Sequence, residues 1–149
     1  MFVNPYPYTN GGSQVKDRLH AANITINTVE GYQGNPFVLT EDNTLERETY
    51  ELQKLVDPGD PLKERELYHM FPGVYRMTSD TFVNVPDGHI AWLESTTLLH
   101  KSGCTVTSPI FKAGYKGLVE GQISVNGGEM FLEPGLVVAE LVMCKLTEE

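Results

Sequence analysis

From Gly73 onward the chain is a succession of short β-prone runs cut by Pro and Gly turns, at residues 73–77, 81–85, 89–93, 104–107, 121–125, 129–132 and 137–146. Even spacing of this kind speaks against βαβ units and predicts an all-β sandwich or barrel. Upstream, Ile24 and Ile26 alternate with Thr25 and Asn27 as in a strand, and Gly31, Gly34 and Pro36 punctuate the chain before Phe37, Val38 and Leu39.

Residues 45–70 carry two periodicities. Leu45, Thr49, Leu52 and Val56 fall at helical spacing, whereas Tyr50, Leu52, Lys54 and Val56 alternate. Asp57-Pro58-Gly59-Asp60-Pro61 is a turn between two arms, so the reading favours a hairpin, with helix as the alternative. Residues 1–18, with Pro5, Tyr6, Pro7, Tyr8 and the turn Asn10-Gly11-Gly12, resist helix. They read as an extended N-terminal arm lying on a neighbouring subunit or as a disordered tail.

At 149 residues and 40% hydrophobic composition the chain supports one core. The organisation expected is the arm at 1–18 and a single β-barrel domain at 19–149. A formal net charge of −9 disfavours direct binding of nucleic acid or an anionic membrane surface. No signal peptide and no apolar run of membrane-spanning length occurs, so a soluble protein, cytoplasmic or virion-associated, is expected. Cys104 and Cys144 sit among strand-like residues and read as small buried hydrophobes.

Conventional sites lack their parts. His20, His69, His89 and His100 have no partner at metal-ligand spacing, and no GxSxG, GxxxxGK[ST] or strand-linked GxGxxG occurs. No metal and no cofactor is expected. Glu120, Glu129 and Glu133 read as solvated strand and turn residues, not as an acid–base pair.

Three blocks carry a resemblance: FPGVYRMTSDTFVNVPDGHIAWLESTTLLHKSG, AGYKGLVEGQISV and LEPGLVVAELVMCKL. Their order and spacing over residues 71–146, about half of the chain, resemble the dUTPase and dCTP deaminase superfamily, particularly its deaminase branch. The shared elements are Pro72-Gly73, the Ser95-Thr96-Thr97 element with Gly103 behind it, the turn Gly114-Tyr115-Lys116-Gly117, and Pro134-Gly135 leading to Ala139-Glu140-Leu141. Ala21-Ala22-Asn23-Ile24-Thr25 resembles the family's first motif, with Asn23 where an Asp is usual. The resemblance implies a distorted jelly-roll barrel that assembles as a homotrimer with sites at subunit boundaries. Gly73, Gly103, Gly114, Tyr115, Gly117 and Gly135 are then turn and structural positions.

Carried over residue by residue, the family's chemistry is replaced. Lys112 stands where the resemblance places the Asp that orients the attacking water, and an ammonium accepts no proton at neutral pH. Gln122 stands for the proton-shuttling Glu of the deaminases, and an amide does not titrate. Ser95, Thr96 and Thr97 replace the Arg-Ser-Ser element, and His100 replaces a following Arg, exchanging a permanent cation for a mostly neutral ring. Glu140 replaces a phosphate-binding Gln and would repel a triphosphate. With the sequence ending at Glu149, no counterpart of the dUTPases' Gly-rich C-terminal arm is expected.

The expectation is therefore a noncatalytic, homotrimeric structural or interaction protein whose partner is a repeating surface such as a viral capsid, in the manner of a decoration protein. The alternatives are a nucleotide-metabolism enzyme with a rebuilt site and a regulatory nucleotide binder.

Overall fold

Alternate burial along the strands places the core. In β7 (Gly73–Asn84) Tyr75, Met77, Ser79 and Val83 are buried while Val74, Asp80 and Phe82 are exposed, and in β11 (Lys116–Val125) Val119, Gly121, Ile123 and Val125 are buried. Each strand thus presents one apolar face inward, as a period of two residues requires. Ile24, Val29, Met70, Leu132 and Val138 complete the same cluster. The computed structural model describes residues 2–3, 19–34, 37–42, 46–56, 59 and 66–147.

Three sheets enclose the core, all pairs antiparallel, in agreement with the all-β expectation. One has the order β1 (Phe2–Val3), β13 (Val137–Thr147), β8 (His89–Ser95), β10 (Phe111–Lys112), with β2 (Leu19–Thr25) also on β13. The second runs β4 (Thr49–Glu51), β3 (Thr28–Tyr32), β7, β11, β9 (Cys104–Thr107). The third is β12 (Met130–Leu132), β6 (Glu66–Met70), β5 (Lys54–Val56). The described helix α1 is a five-residue turn, Thr97–Lys101. No helix among the described residues is long and apolar enough to cross a membrane.

One sequence expectation changes in detail and another is sharpened. Residues 73–77 and 81–85, read as separate strands, belong mainly to one strand: Leu118 faces Phe82 and Glu120 faces Thr78, so Ser79, Asp80 and Thr81 stand against Val119 alone. The apparent break is a bulge, held by the Ser79 hydroxyl accepting from the Thr81 N–H at 3.1 Å. Between residues 45 and 70 the hairpin reading holds, since β5 and β6 pair through Leu55 opposite Leu67. Leu45 and, apart from Gly59, the turn at 57–61 lie outside the described residues. So do residues 4–18 of the arm, while Phe2 and Val3 pair with Thr147 and Leu146 of the same chain.

Both cysteines are buried and unbridged, as read from their surroundings. Gly103, at φ +84°, lies so close to Gly127 that a Cβ would meet its Cα at 2.8 Å, which explains glycine at that crossing.

Candidate functional site

Lys112 is positioned by its backbone. Its carbonyl accepts from the Tyr115 N–H at 3.0 Å, and Gly114 takes φ +92°, which is the i+2 conformation of a type II turn. Val85 latches the turn on both sides: its carbonyl accepts from the Gly114 N–H at 2.9 Å and its N–H donates to the Tyr115 carbonyl at 3.0 Å. The Tyr115 ring packs on Phe111 at 4.8 Å and its hydroxyl donates to the Leu118 carbonyl at 2.9 Å. Gly117 does not need a positive φ. It lies in β11, where a Cβ would make ordinary van der Waals contact with the Tyr115 hydroxyl at 3.4 Å.

The segment from Thr107 to Ala113 passes from β9 in one sheet to β10 in another and walls a cleft of about 890 Å³. Its floor is a row across the second sheet, in which Arg76 of β7 stands opposite Gln122 of β11, which in turn faces Thr107. Lys112 and Gln122 therefore line one cleft.

Residues that sequence reasoning passed over dominate its electrostatics. The Arg76 guanidinium donates to Glu46 at 3.0 Å and to Glu120 at 3.1 Å. The Glu46 hydrogen bond first, and then Glu120, hold Arg76 firmly charged against the opposing cost of burial. Glu120 is accordingly half-buried and paired, where a solvated residue was expected. Gln122 donates through Nε2 to the Tyr32 hydroxyl at 2.9 Å. Burial, with Glu120 adding to it, raises the Tyr115 phenol above its usual range. Three cations, Arg47, Arg76 and Lys112, meet two carboxylates, Glu46 and Glu120, so the lining is +1 in a chain of net charge −9. The Lys112 ammonium has no ion-pair or hydrogen-bond partner among the described residues.

The remaining expected positions lie elsewhere. The Ser95 hydroxyl donates to the Val106 carbonyl at 3.2 Å and accepts from the Val106 N–H at 2.7 Å, stitching β8 to β9. Thr96 caps α1, accepting from the Leu99 N–H at 3.2 Å while its hydroxyl reaches the Val138 carbonyl at 3.3 Å. Leu99 is buried beneath it, whereas Thr97 and His100 are exposed. Glu140 is exposed on β13, between Glu94 and Asn23. None of these five lines the cleft.

Among the described residues no three His, Cys, Asp or Glu side chains gather as a metal site. Of the histidines, His69 bonds Glu129 and stacks on Phe131 at 4.4 Å, and His89 contacts the Asp87 carbonyl through Nδ1 at 2.9 Å.

No protein-family model matches the chain. A probable deoxyuridine 5′-triphosphate nucleotidohydrolase of Aeropyrum pernix is 28% identical over 98 residues, covering 64% of this chain and 62% of its own length. Another, of Halobacterium salinarum, is 29% identical over 72 residues, covering 48% of this chain and 43% of its own. The chain thus spans less than two thirds of the length of these curated relatives. The native EIAV dUTPase structure superposes with a TM-score of 0.50 at 16% identity, over 56% of this chain and 71% of that one, a likeness of fold.

Proposed function

The chain is dUTPase-like in sequence and in fold, and from that premise we propose that it is a noncatalytic homotrimer with a structural or interaction role. The observation that carries this reading is that, among the described residues, no carboxylate lining the cleft is free to act as a base. Glu46 and Glu120 both bind Arg76, and the position where the resemblance places an acid is Lys112, whose ammonium donates and cannot accept. Gln122 keeps a hydrogen bond but has no proton to shuttle. Glu140, with Glu94 directly opposite, adds negative charge where the resemblance places phosphate. Loss of base, shuttle and phosphate contacts together leaves the fold without its reaction.

As a scaffold, a compact threefold unit suits a repeating partner surface with local threefold axes, such as a viral capsid. The test is incubation of the purified protein with dUTP and with dCTP in the presence of Mg²⁺, reading pyrophosphate and ammonia. Neither is expected. Turnover that disappears in Gln122→Ala or His100→Ala would overturn the proposal and favour an enzyme with a rebuilt site, a reading that the relatives' names, which are those of dUTPases, fit in part. The open cleft and its excess of positive charge favour a second reading, a nucleotide binder without turnover. Saturable heat of dUTP or dCTP binding, with neither product released, selects it.

A further inference from the structure

Glu94 and Glu140 oppose each other across the β8–β13 pair, and both are exposed. Like charges directly opposite on neighbouring strands repel, more so in a chain of net charge −9. Glu94 accepts one hydrogen bond, from the Trp92 indole at 2.7 Å. Glu140 has no partner among the described residues. Among the described residues the pair lacks a cation.

The same sheet carries at its other end a cation that has no partner among the described residues. Glu94, Trp92 and Ile90 share one face of β8, because side chains alternate along a strand. Val142 stands opposite Trp92, both half-buried, and Lys112 stands opposite Ile90 on the edge strand β10. This face therefore runs from two carboxylates, across Trp92 and Val142, to one ammonium. Ile90 and Glu94 are separated by roughly 13 Å at the strand rise, which keeps Lys112 from neutralising the pair within its own chain. The edge beside Lys112 is open and apolar, with Ile110 57% exposed. Complementary charges at the two ends favour a head-to-tail contact, which is heterologous and makes a ring where the rotation between copies closes.

We infer that Lys112 of one copy pairs with Glu94 and Glu140 of the next, so that the position occupied by a cation serves assembly; the inference rests on the self-association proposed above. A charge pair enclosed at an interface couples more strongly than one on an open surface.

The experiment measures mass against concentration by light scattering for the full chain, for K112E, for E140K and for the double variant K112E/E140K. The expected result is a three-chain mass for the parent, association weakened about tenfold or more in each single variant, and recovery in the double variant. Lys112→Gln and Glu140→Gln, which remove charge without reversing it, weaken association less and in the same direction. Added salt narrows the differences. A three-chain parent whose single variants associate unchanged, or whose double variant fails to recover, overturns the inference and leaves the trimer standing. A parent of one-chain or two-chain mass overturns the trimer reading and the lock together. Circular dichroism confirms that each variant keeps its strands, and both substituted residues are exposed.

Discussion

Ser95 and Gln122 both stand where the resemblance places chemistry, and the barrel uses them in opposite ways. Ser95 is half-buried and its hydroxyl both donates to and accepts from Val106, so that β8 and β9 are joined through it. Thr96 beside it caps α1 and reaches Val138. Gln122 is exposed, and among the described residues its side chain bonds only the Tyr32 hydroxyl at the floor of an open cleft. Lys112 is exposed beside it, and its backbone, not its side chain, forms the turn. Where folding needs a hydroxyl, a hydroxyl stands. Where folding needs only a strand or turn residue, an amide and an ammonium stand at positions where the resemblance places acids.

The comparison can be broken most forcefully at Gly121, one residue from the cleft floor. A Cβ there would lie 2.7 Å from the Thr107 carbonyl oxygen and 2.8 Å from Leu93 Cδ1. Gly121→Val should cost more than about 3 kcal/mol in chemical denaturation. A near-neutral result would mean that the wall and floor of the cleft are not packed as described. Next, Ser95→Ala should cost about 1–3 kcal/mol by leaving the Val106 N–H and C=O without that partner, while Gln122→Ala should stay within about 0.5 kcal/mol. Equal costs for the two would erase the distinction between the regions.

The smallest effect concerns pH. Burial first, and then Glu120, raises the Tyr115 phenol, and burial likewise raises Tyr68 and Tyr75. A raised folded value means that the folded protein holds these protons more tightly. The stability they add is complete below the ordinary phenol value of 10.0 and fades as pH climbs through the higher folded values. Denaturation midpoints should therefore fall above about pH 10, and Tyr115→Phe should make that fall shallower. A midpoint that rises over this range would contradict the sign.

Much of this was legible along the chain. Alternation marked β9 at its bounds and β13 within a residue of its end, since the apolar face of a strand repeats every second residue whatever it later packs against. The gap left at 78–80 marked a real irregularity, but local pattern could not tell a strand break from a bulge. That depends on Val119 standing alone against three residues of β7. Arg76 carried a weak signal, a charged residue between buried Tyr75 and Met77. Glu46 carried none.

Strand periodicity, the Pro and Gly turns, and the presence of an ammonium at Lys112 and an amide at Gln122 were determined by the sequence itself, because each depends on residue type and short-range stereochemistry. The cleft, the ion-pair bridge and the opposed carboxylates were decided by tertiary structure. Arg76 meets partners 30 and 44 positions away, and Glu94 meets Glu140 only because β8 and β13 pair in one register. Coulombic interaction depends on distance in space, and spacing along the chain does not determine that distance.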